Sequence, residues 1–270
     1  MEELQHRLPG LDDTLYISTS SSGSTGRPVT VFRHAPSYVV EYDATLLLEW
    51  EWARLGIDSD VLMIRAVPPN QVGKQTLGVP LEFIGHRGTG YTMQLSQTSV
   101  SDAVQAIRAI EPNLVFTNGV MTRAIALHQL RSGSDQTHVD AFVVTSDRVD
   151  QDMRAQVRDA FGARIVNRYS CEEIGFVAIQ CPFAEHLHVP PNVIAEIVND
   201  QGDACEVGTP GRVLLTSLSN RAQPMIRYDV GDVAVLGEPC QHGIAWPVIE
   251  SVEGRLRDGV TLPDGSFHMV

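Results

Sequence analysis

Ser18 to Gly26 are nine consecutive Ser, Thr or Gly residues, inside the stretch ISTSSSGSTGRPVTVF from Ile17 to Phe32. Such a run offers many backbone N–H and hydroxyl donors that can converge on one point, which is what a phosphate chain asks of a loop. The same composition also suits a solvated loop with no ligand. A Walker-type loop fits poorly, because it needs a Lys after its last Gly and a helix behind it. Here Arg27, Pro28 and the alternating VTVF predict a strand, so the loop is expected to join two strands. A second set of reactive side chains is Cys181, His188, Cys240 and His242. Thiol and imidazole are the ligands of tetrahedral zinc, and Cys-x₆-His and Cys-x-His could be its two halves, with no position left for substrate. His186 competes with His188 for a place. Two buried thiols and two surface histidines are the alternative.

These residues need a scaffold. Apolar β-branched runs at Val61–Val67, Leu114–Asn118 and Ala141–Ser146 predict buried strands. Helices are predicted between them: Ser37–Leu55, with Val40, Leu47 and Trp50 on one face; a helix capped by Ser101 and stopped before Pro112; and one carrying Met153, Val157 and Phe161 that ends at Gly162. The alternation implies an α/β fold, a layered, mostly parallel sheet with flanking helices. After Pro190 only strands separated by Gly, Asp and Pro turns follow, which implies a small all-β subdomain. The expected division is an α/β core over 1–190, the β subdomain over 191–253 and a remnant over 254–270.

The chain has 270 residues, 43% apolar and 20% charged, with a formal net charge of −13. That charge gives no general footprint for nucleic acid or an anionic membrane. No apolar run approaches the roughly 18 residues a membrane span needs, and the acidic start MEELQHRLPG is not a signal peptide. A cytoplasmic protein with no nucleic-acid or membrane partner is expected, its four cysteines thiols or metal ligands rather than disulfides.

The loop and four further stretches, in order, resemble the adenylate-forming superfamily of acyl-CoA synthetases, adenylation domains and luciferases, and within it the phenylacetate–CoA ligase branch and its capsule-biosynthesis relatives. TSSSGSTGRP resembles the phosphate loop of that family, RYSCEEIG its Tyr-Gly-x-x-Glu motif, RYDVGD its Tyr-x-x-Gly-Asp motif and VEGRLRD its Gly-Arg hinge. CPFAEHLHV with EPCQHG resembles a Cys/His feature of the branch. The chain departs from the pattern at Ser170, where Gly is usual, at Glu172, where Ser or Thr is usual, and at Arg27, where Lys is usual.

The resemblance implies ATP-dependent adenylation of a small carboxylic acid, with Mg²⁺, and with CoA, an amine or a carrier protein as acceptor. Ser20, Ser21, Ser22, Gly23, Ser24, Thr25 and Gly26 would cradle ATP, Thr25 serving catalysis. Glu173 would hold Mg²⁺, Tyr169 flank adenine, Asp232 take the ribose hydroxyls, and Arg255 lie near ribose and phosphate. The acid would lie by Thr117, Asn118, Gly119, Thr145, Ser146 and Asp147, at strand ends where open α/β sheets bind ligands. Superfamily members carry a further N-terminal segment and a C-terminal lid with a catalytic Lys, whereas the only lysine here is Lys74. A minimal or truncated ligase is therefore expected; the alternatives are a binding module that does not turn over and one piece of a split enzyme, completed by a homo-oligomer or by a complementing chain.

Overall fold

The computed structural model describes residues 15–20, 30–56, 58–67, 69–75, 88–133, 137–261 and 267–269. In chain order the strands are β1 Tyr16–Ser20, β2 Thr30–His34, β3 Val61–Arg65, β4 Gly73–Gln75, β5 Gly90–Gln94, β6 Leu114–Asn118, β7 Ala141–Thr145, β8 Arg164–Cys171, β9 Gly175–Gln180, β10 Leu187–His188, β11 Val193–Val198, β12 Pro210–Ser217, β13 Tyr228–Leu236, β14 Val248–Arg255, β15 Gly259–Thr261 and β16 Phe267–Met269. The helices are α1 Ala35–Trp52, α2 Val100–Ile110, α3 Gly119–Ser132 and α4 Gln151–Phe161. The chain forms two compact units, one from Leu46–Arg168 and one from Met1–Thr45 with Tyr169–Val270. Helix α1 and strand β8 each give residues to both.

In the Leu46–Arg168 unit the strands run in the order β4-β5-β3-β6-β7-β8. Every neighbouring pair is parallel except β4 with β5. Helices α2, α3 and α4 provide the crossovers that parallel strands require. Their apolar faces meet the strands in one dry cluster: Val104 and Ile107 of α2, Ile125 of α3, Val157 and Phe161 of α4, against Leu62, Ile64, Val115, Phe142 and Val144. Phe142 and Phe161 touch ring to ring, 5.3 Å between centroids.

The helix ends follow capping chemistry. Ser99, not Ser101, caps α2, because Asp102 stands three residues on and completes a reciprocal box: Ser99 Oγ accepts from the Asp102 N–H at 3.1 Å, and Asp102 accepts from the Ser99 N–H at 3.2 Å. Asn118 caps α3 and Asp150 caps α4, each accepting from the N–H three residues on at 2.8 Å. Gly133 and Gly162 end these helices in the left-handed region.

Helix α1 departs from the apolar stripe expected of it. Val40 is 69% and Leu47 40% exposed, while Trp50 and Ala53 are buried with Thr45 and Glu49. The two polar residues meet different partners. Thr45 donates to the Glu41 carbonyl at 2.8 Å, and Glu49 pairs with Arg168 at 3.1 Å. Burial raises the pKa of Glu49, against the opposing pull of Arg168.

The other unit is antiparallel. Its main sheet runs β11-β12-β13-β14-β10-β9, and β1-β2 and β15-β16 form two-stranded ribbons. Strands β11 to β14, expected as a subdomain of their own, share this unit and its core with Val31 of β2 and Tyr169, Cys171 and Val177 of β8 and β9. Strand β2 is tied to the segment after β12 by side chains: the Phe32 N–H donates to Gln223 Oε1, and Asn220 donates to the Phe32 carbonyl, both at 2.9 Å.

Candidate functional site

The stretches before and after the Ser/Thr/Gly run pair as antiparallel strands, with Ser20 opposite Thr30, as the alternation predicts. Ser21, Ser22, Gly23, Ser24, Thr25 and Gly26 lie outside the described residues, as does the side chain of Ser20.

Three of the motif residues converge in the antiparallel unit. Asp232 on β13 stands opposite Arg255 on β14 in register, and the two pair across the strands, Nε to Oδ1 at 3.1 Å. Arg255 also donates to the Val230 carbonyl at 2.7 Å. Tyr169, near the end of β8, donates its hydroxyl to Asp232 Oδ2 at 2.6 Å. Gly231 makes the approach possible: it takes φ +73° and its N–H donates to Asp229 Oδ1 at 2.9 Å. Asp232 is only 5% exposed. Burial raises its pKa; the Tyr169 hydrogen bond and the Arg255 charge pull the other way, and Glu173 and Asp229 push it up again. Tyr169 is raised well above the ordinary tyrosine value, by burial first and by the Asp232 charge second.

Glu173 sits in the turn between β8 and β9, and Tyr228, the first residue of β13, hydrogen-bonds to it. The Tyr228 hydroxyl is pushed up to about 12, by burial first and then by the Glu173 carboxylate. The turn itself is held from below by Arg33 of β2. That guanidinium donates to the Ile174 carbonyl at 3.3 Å and to the Glu172 carbonyl, and packs over the Tyr38 ring, 4.9 Å from its centroid. Gly175 is favoured there by its φ of +98°, and a Cβ would stand 2.8 Å from Arg33 Nη1, so the guanidinium would have to shift. Tyr228 and Arg33 were not among the expected site residues. Tyr228 is the first letter of its own motif and could have been found; Arg33 meets the turn across 139 and 141 residues of sequence and has no local signal. Cys171, beside Glu173, is a buried thiol raised to about 12, chiefly by desolvation, and so is no nucleophile.

The second constellation forms, with one exchange. Cys181, His186, His188 and Cys240 have ligand atoms all within 4.8 Å of one another. His186, not the expected His242, completes the set. The reason is a turn: the Cys181 N–H donates to the His186 carbonyl at 2.8 Å, which returns the chain to the cysteine, and His186 and His188 flank Leu187 so that their rings meet 5.0 Å apart. His242 stands beside the cluster, its Nδ1 3.6 Å from Cys240 Sγ and its ring on Phe183. Its backbone N–H donates to that sulfur at 3.4 Å. The donor set fits zinc. The two sulfurs are 4.0 Å apart, close to the ~3.8 Å edge of a tetrahedron with Zn–S bonds of about 2.3 Å, and His186 Nε2 is buried with no hydrogen-bond partner.

In the parallel unit, Asn118, Gly119 and Asp147 come together at the C-terminal ends of β6 and β7. Asp147 Oδ2 accepts from the Val120 N–H at 3.1 Å, and a Cβ on Gly119 would fall 2.6 Å from Asp147 Cβ. Both residues line an apolar cavity of about 370 Å³ with Val120, Leu127 and Met153. Ser146 holds φ +71°, a conformation that a non-glycine residue adopts only when its surroundings impose it. Thr117 does not join them: it is fully buried and donates to the Ile64 carbonyl at 2.9 Å, because the strand's alternation turns it inward. Thr145 is within 3.5 Å of the Ser146 hydroxyl.

No family model and no curated protein sequence matches the chain. Solved structures do. An open conformation of 2-hydroxyisobutyryl-CoA ligase in complex with 2-HIB-AMP and CoA superposes with a TM-score of 0.72 at 14% identity, over 96% of this chain and 61% of that one. The anthranilate CoA ligase AuaEII, in complex with anthranoyl-AMP, gives 0.67 at 15% identity, over 93% and 49%. The amide bond synthetase McbA from Marinactinospora thermotolerans gives 0.63 at 18%, over 92% and 51%. The chain thus has the fold found in these ligases and spans 61% or less of the length of each. Among the described residues no helix is long and apolar enough to cross a membrane.

Proposed function

We propose that the chain binds Mg-ATP and a small carboxylic acid and joins them as an acyl-adenylate, in the manner of the phenylacetate–CoA ligase branch. The observation that carries this reading is the convergence of Tyr169, Asp232 and Arg255, drawn from three separated motifs, within a fold shared with ligases solved with acyl-AMP. In the reaction a carboxylate oxygen attacks the α-phosphorus of ATP, a new P–O bond forms, and the bond to pyrophosphate breaks. The chain must position two anions and neutralise the charge that develops.

Ser20–Gly26 would supply donors to the phosphates, with Thr25 among them. Glu173 would offer Mg²⁺ the hard oxygen ligand it prefers, held in place by Tyr228 and the Arg33-braced turn. Asp232 and Arg255 would take the ribose and Tyr169 the adenine. The acid would lie against Asn118, Gly119, Ser146 and Asp147. Thr117 is assigned no contact, and CoA, an amine or a carrier protein would receive the acyl group. Release of pyrophosphate from ATP, measured with a panel of aryl, alkyl and amino acids, tests the reading. Acid-dependent release supports it, binding of ATP without release favours a module that does not turn over, and no nucleotide binding rejects both.

Cys181, His186, His188 and Cys240 would hold a structural zinc, bracing the β9–β10 turn against the loop before β14. Elemental analysis of reduced protein is expected to give one zinc per chain. His186→Ala should abolish it and His242→Ala should keep it; the reverse pattern would restore the assignment made from spacing alone.

A further inference from the structure

At the N-terminal ends of β3, β6, β7 and β8 lies a polar hollow of about 510 Å³, lined by Arg54, Asp58, Asn113, His138, Asp140 and Arg164 among others. It sits at the opposite edge of the parallel sheet from Asp147. Strand β7 separates the two edges by five residues, roughly 16 Å at about 3.3 Å per residue. A ligand here does not touch the groups assigned to adenylation.

The charges in this hollow are arranged unusually. Arg164 begins β8, and its Nε is buried with no hydrogen-bond partner. Its pKa is lowered, first by burial and then by the charge of Arg54, with only Asp140 opposing. Asp140 is already engaged: Oδ2 accepts from Asn113 Nδ2 at 2.9 Å and Oδ1 lies 3.1 Å from His138 Nε2. Asp58 is exposed to solvent. Arg54 and Arg164 therefore line the same hollow, and among the described residues Asp140 is the one carboxylate whose charge acts on Arg164. Arg54 is held there at a backbone cost. It follows the end of α1 with φ +53°, where glycine or asparagine is the ordinary choice, while the neighbouring Leu55 N–H closes the helix on the Trp50 carbonyl at 3.0 Å.

We infer that this hollow is a second binding site, for a phosphate group, gripped between Arg54 and Arg164. Guanidinium presents a planar fork of donors that matches phosphate oxygens, and a dianion between two such forks removes the repulsion and supplies the buried Nε with its acceptor. Free phosphate and a phosphomonoester both present this group, and the chemistry that recognises it is the same.

The test is calorimetry and thermal melting of the full chain with inorganic phosphate and, separately, glycerol phosphate, at constant ionic strength with chloride and acetate as controls. One saturable equivalent and a raised Tm are expected, and the tighter of the two ligands names the source. Arg164→Met and Arg54→Gln should each weaken binding by about tenfold or more, the loss of a charged hydrogen-bond partner. Arg54→Gln should also raise the Tm in the absence of phosphate, since it relieves the repulsion, and shrink the phosphate-induced increment. Absence of saturable binding would overturn the inference. So would binding that both variants retain, which would place the phosphate elsewhere, with the Ser/Thr/Gly loop the first alternative.

Discussion

The two units bury different things. The Leu46–Arg168 unit closes on an apolar cluster of Leu, Ile, Val and Phe, and the polar groups it buries are uncharged apart from Glu49, which Arg168 meets. The unit containing Tyr169–Val270 buries Arg33, Asp232, His188 and Gln223 as well as its apolar core. Apolar packing is tolerant of exchange as long as volume is kept. A buried charge is not, because every oxygen and N–H must find a partner. The first unit is thus a scaffold that presents loop residues at its strand ends. The second depends for its stability on how its buried charged and polar side chains are paired as well as on apolar contact.

That difference is open to attack from both sides. The largest effect is expected from Phe142→Ala, which removes a fully buried ring from the scaffold core and should cost about 3–5 kcal/mol in denaturant unfolding. A cost under about 1 kcal/mol, on the order of a surface change, would mean that the cluster does not hold this unit together. Next is Asp232→Ala, expected to weaken binding of adenosine, AMP and ATP alike by about 1.5–3 kcal/mol, whereas Glu173→Gln weakens only the magnesium complex. Equal nucleotide profiles for the two variants would remove the distinction between a ribose contact and a metal contact.

A smaller effect distinguishes stability from function at the same residue. The folded-state pKa of Asp232 is raised above the ordinary 3.8, so the native state holds this proton more tightly than the unfolded chain. Its contribution to stability is then full below the ordinary value and is lost as pH rises through the raised one. Relative to Asp232→Asn, the wild type should therefore lose stability on moving from acid toward neutral pH, read by denaturant unfolding across that range. A gap that stays constant with pH would show that the carboxylate is as well solvated folded as unfolded. The smallest effect is Tyr228→Phe, about 0.5–1.5 kcal/mol of stability for one hydrogen bond, with a weakened response to Mg²⁺ because Glu173 loses its orienting donor. An unchanged Mg²⁺ titration would detach Tyr228 from the metal-linked role.

Much of this is legible in the sequence. Alternating VTVF after Pro28 announces a strand, and YISTS, Tyr16–Ser20, is its partner. Met153, Val157 and Phe161 recur at helical spacing and are all buried. The motif letters that flank Asp232 and Tyr169 mark residues that meet. Other features were out of reach. The buried stripe of α1 includes Thr45 and Glu49, so an apolar count picks the wrong face; the burial of Glu49 makes sense only once Arg168, distant in sequence, is beside it. The exchange of His242 for His186 turns on one backbone hydrogen bond that closes a turn. Helix α3 follows β6 with no intervening loop, and its Asn118 cap lies inside what reads as a strand end.

What the sequence determined by itself was periodicity and local chemistry: which runs extend, which coil, where helices start, and which residue types stand ready to bind phosphate, ribose or zinc. These follow from neighbours within a few positions, where dihedral preference and spacing act. Tertiary structure alone decided the partners. Arg33 reaches a turn some 140 residues away, Tyr169 finds Asp232 across 63, and Arg54 is set near Arg164 by the docking of α1's end against the strand ends. Such contacts are chosen by packing and by the cost of leaving a buried polar group unmet, and neither is written in the spacing of residues along the chain.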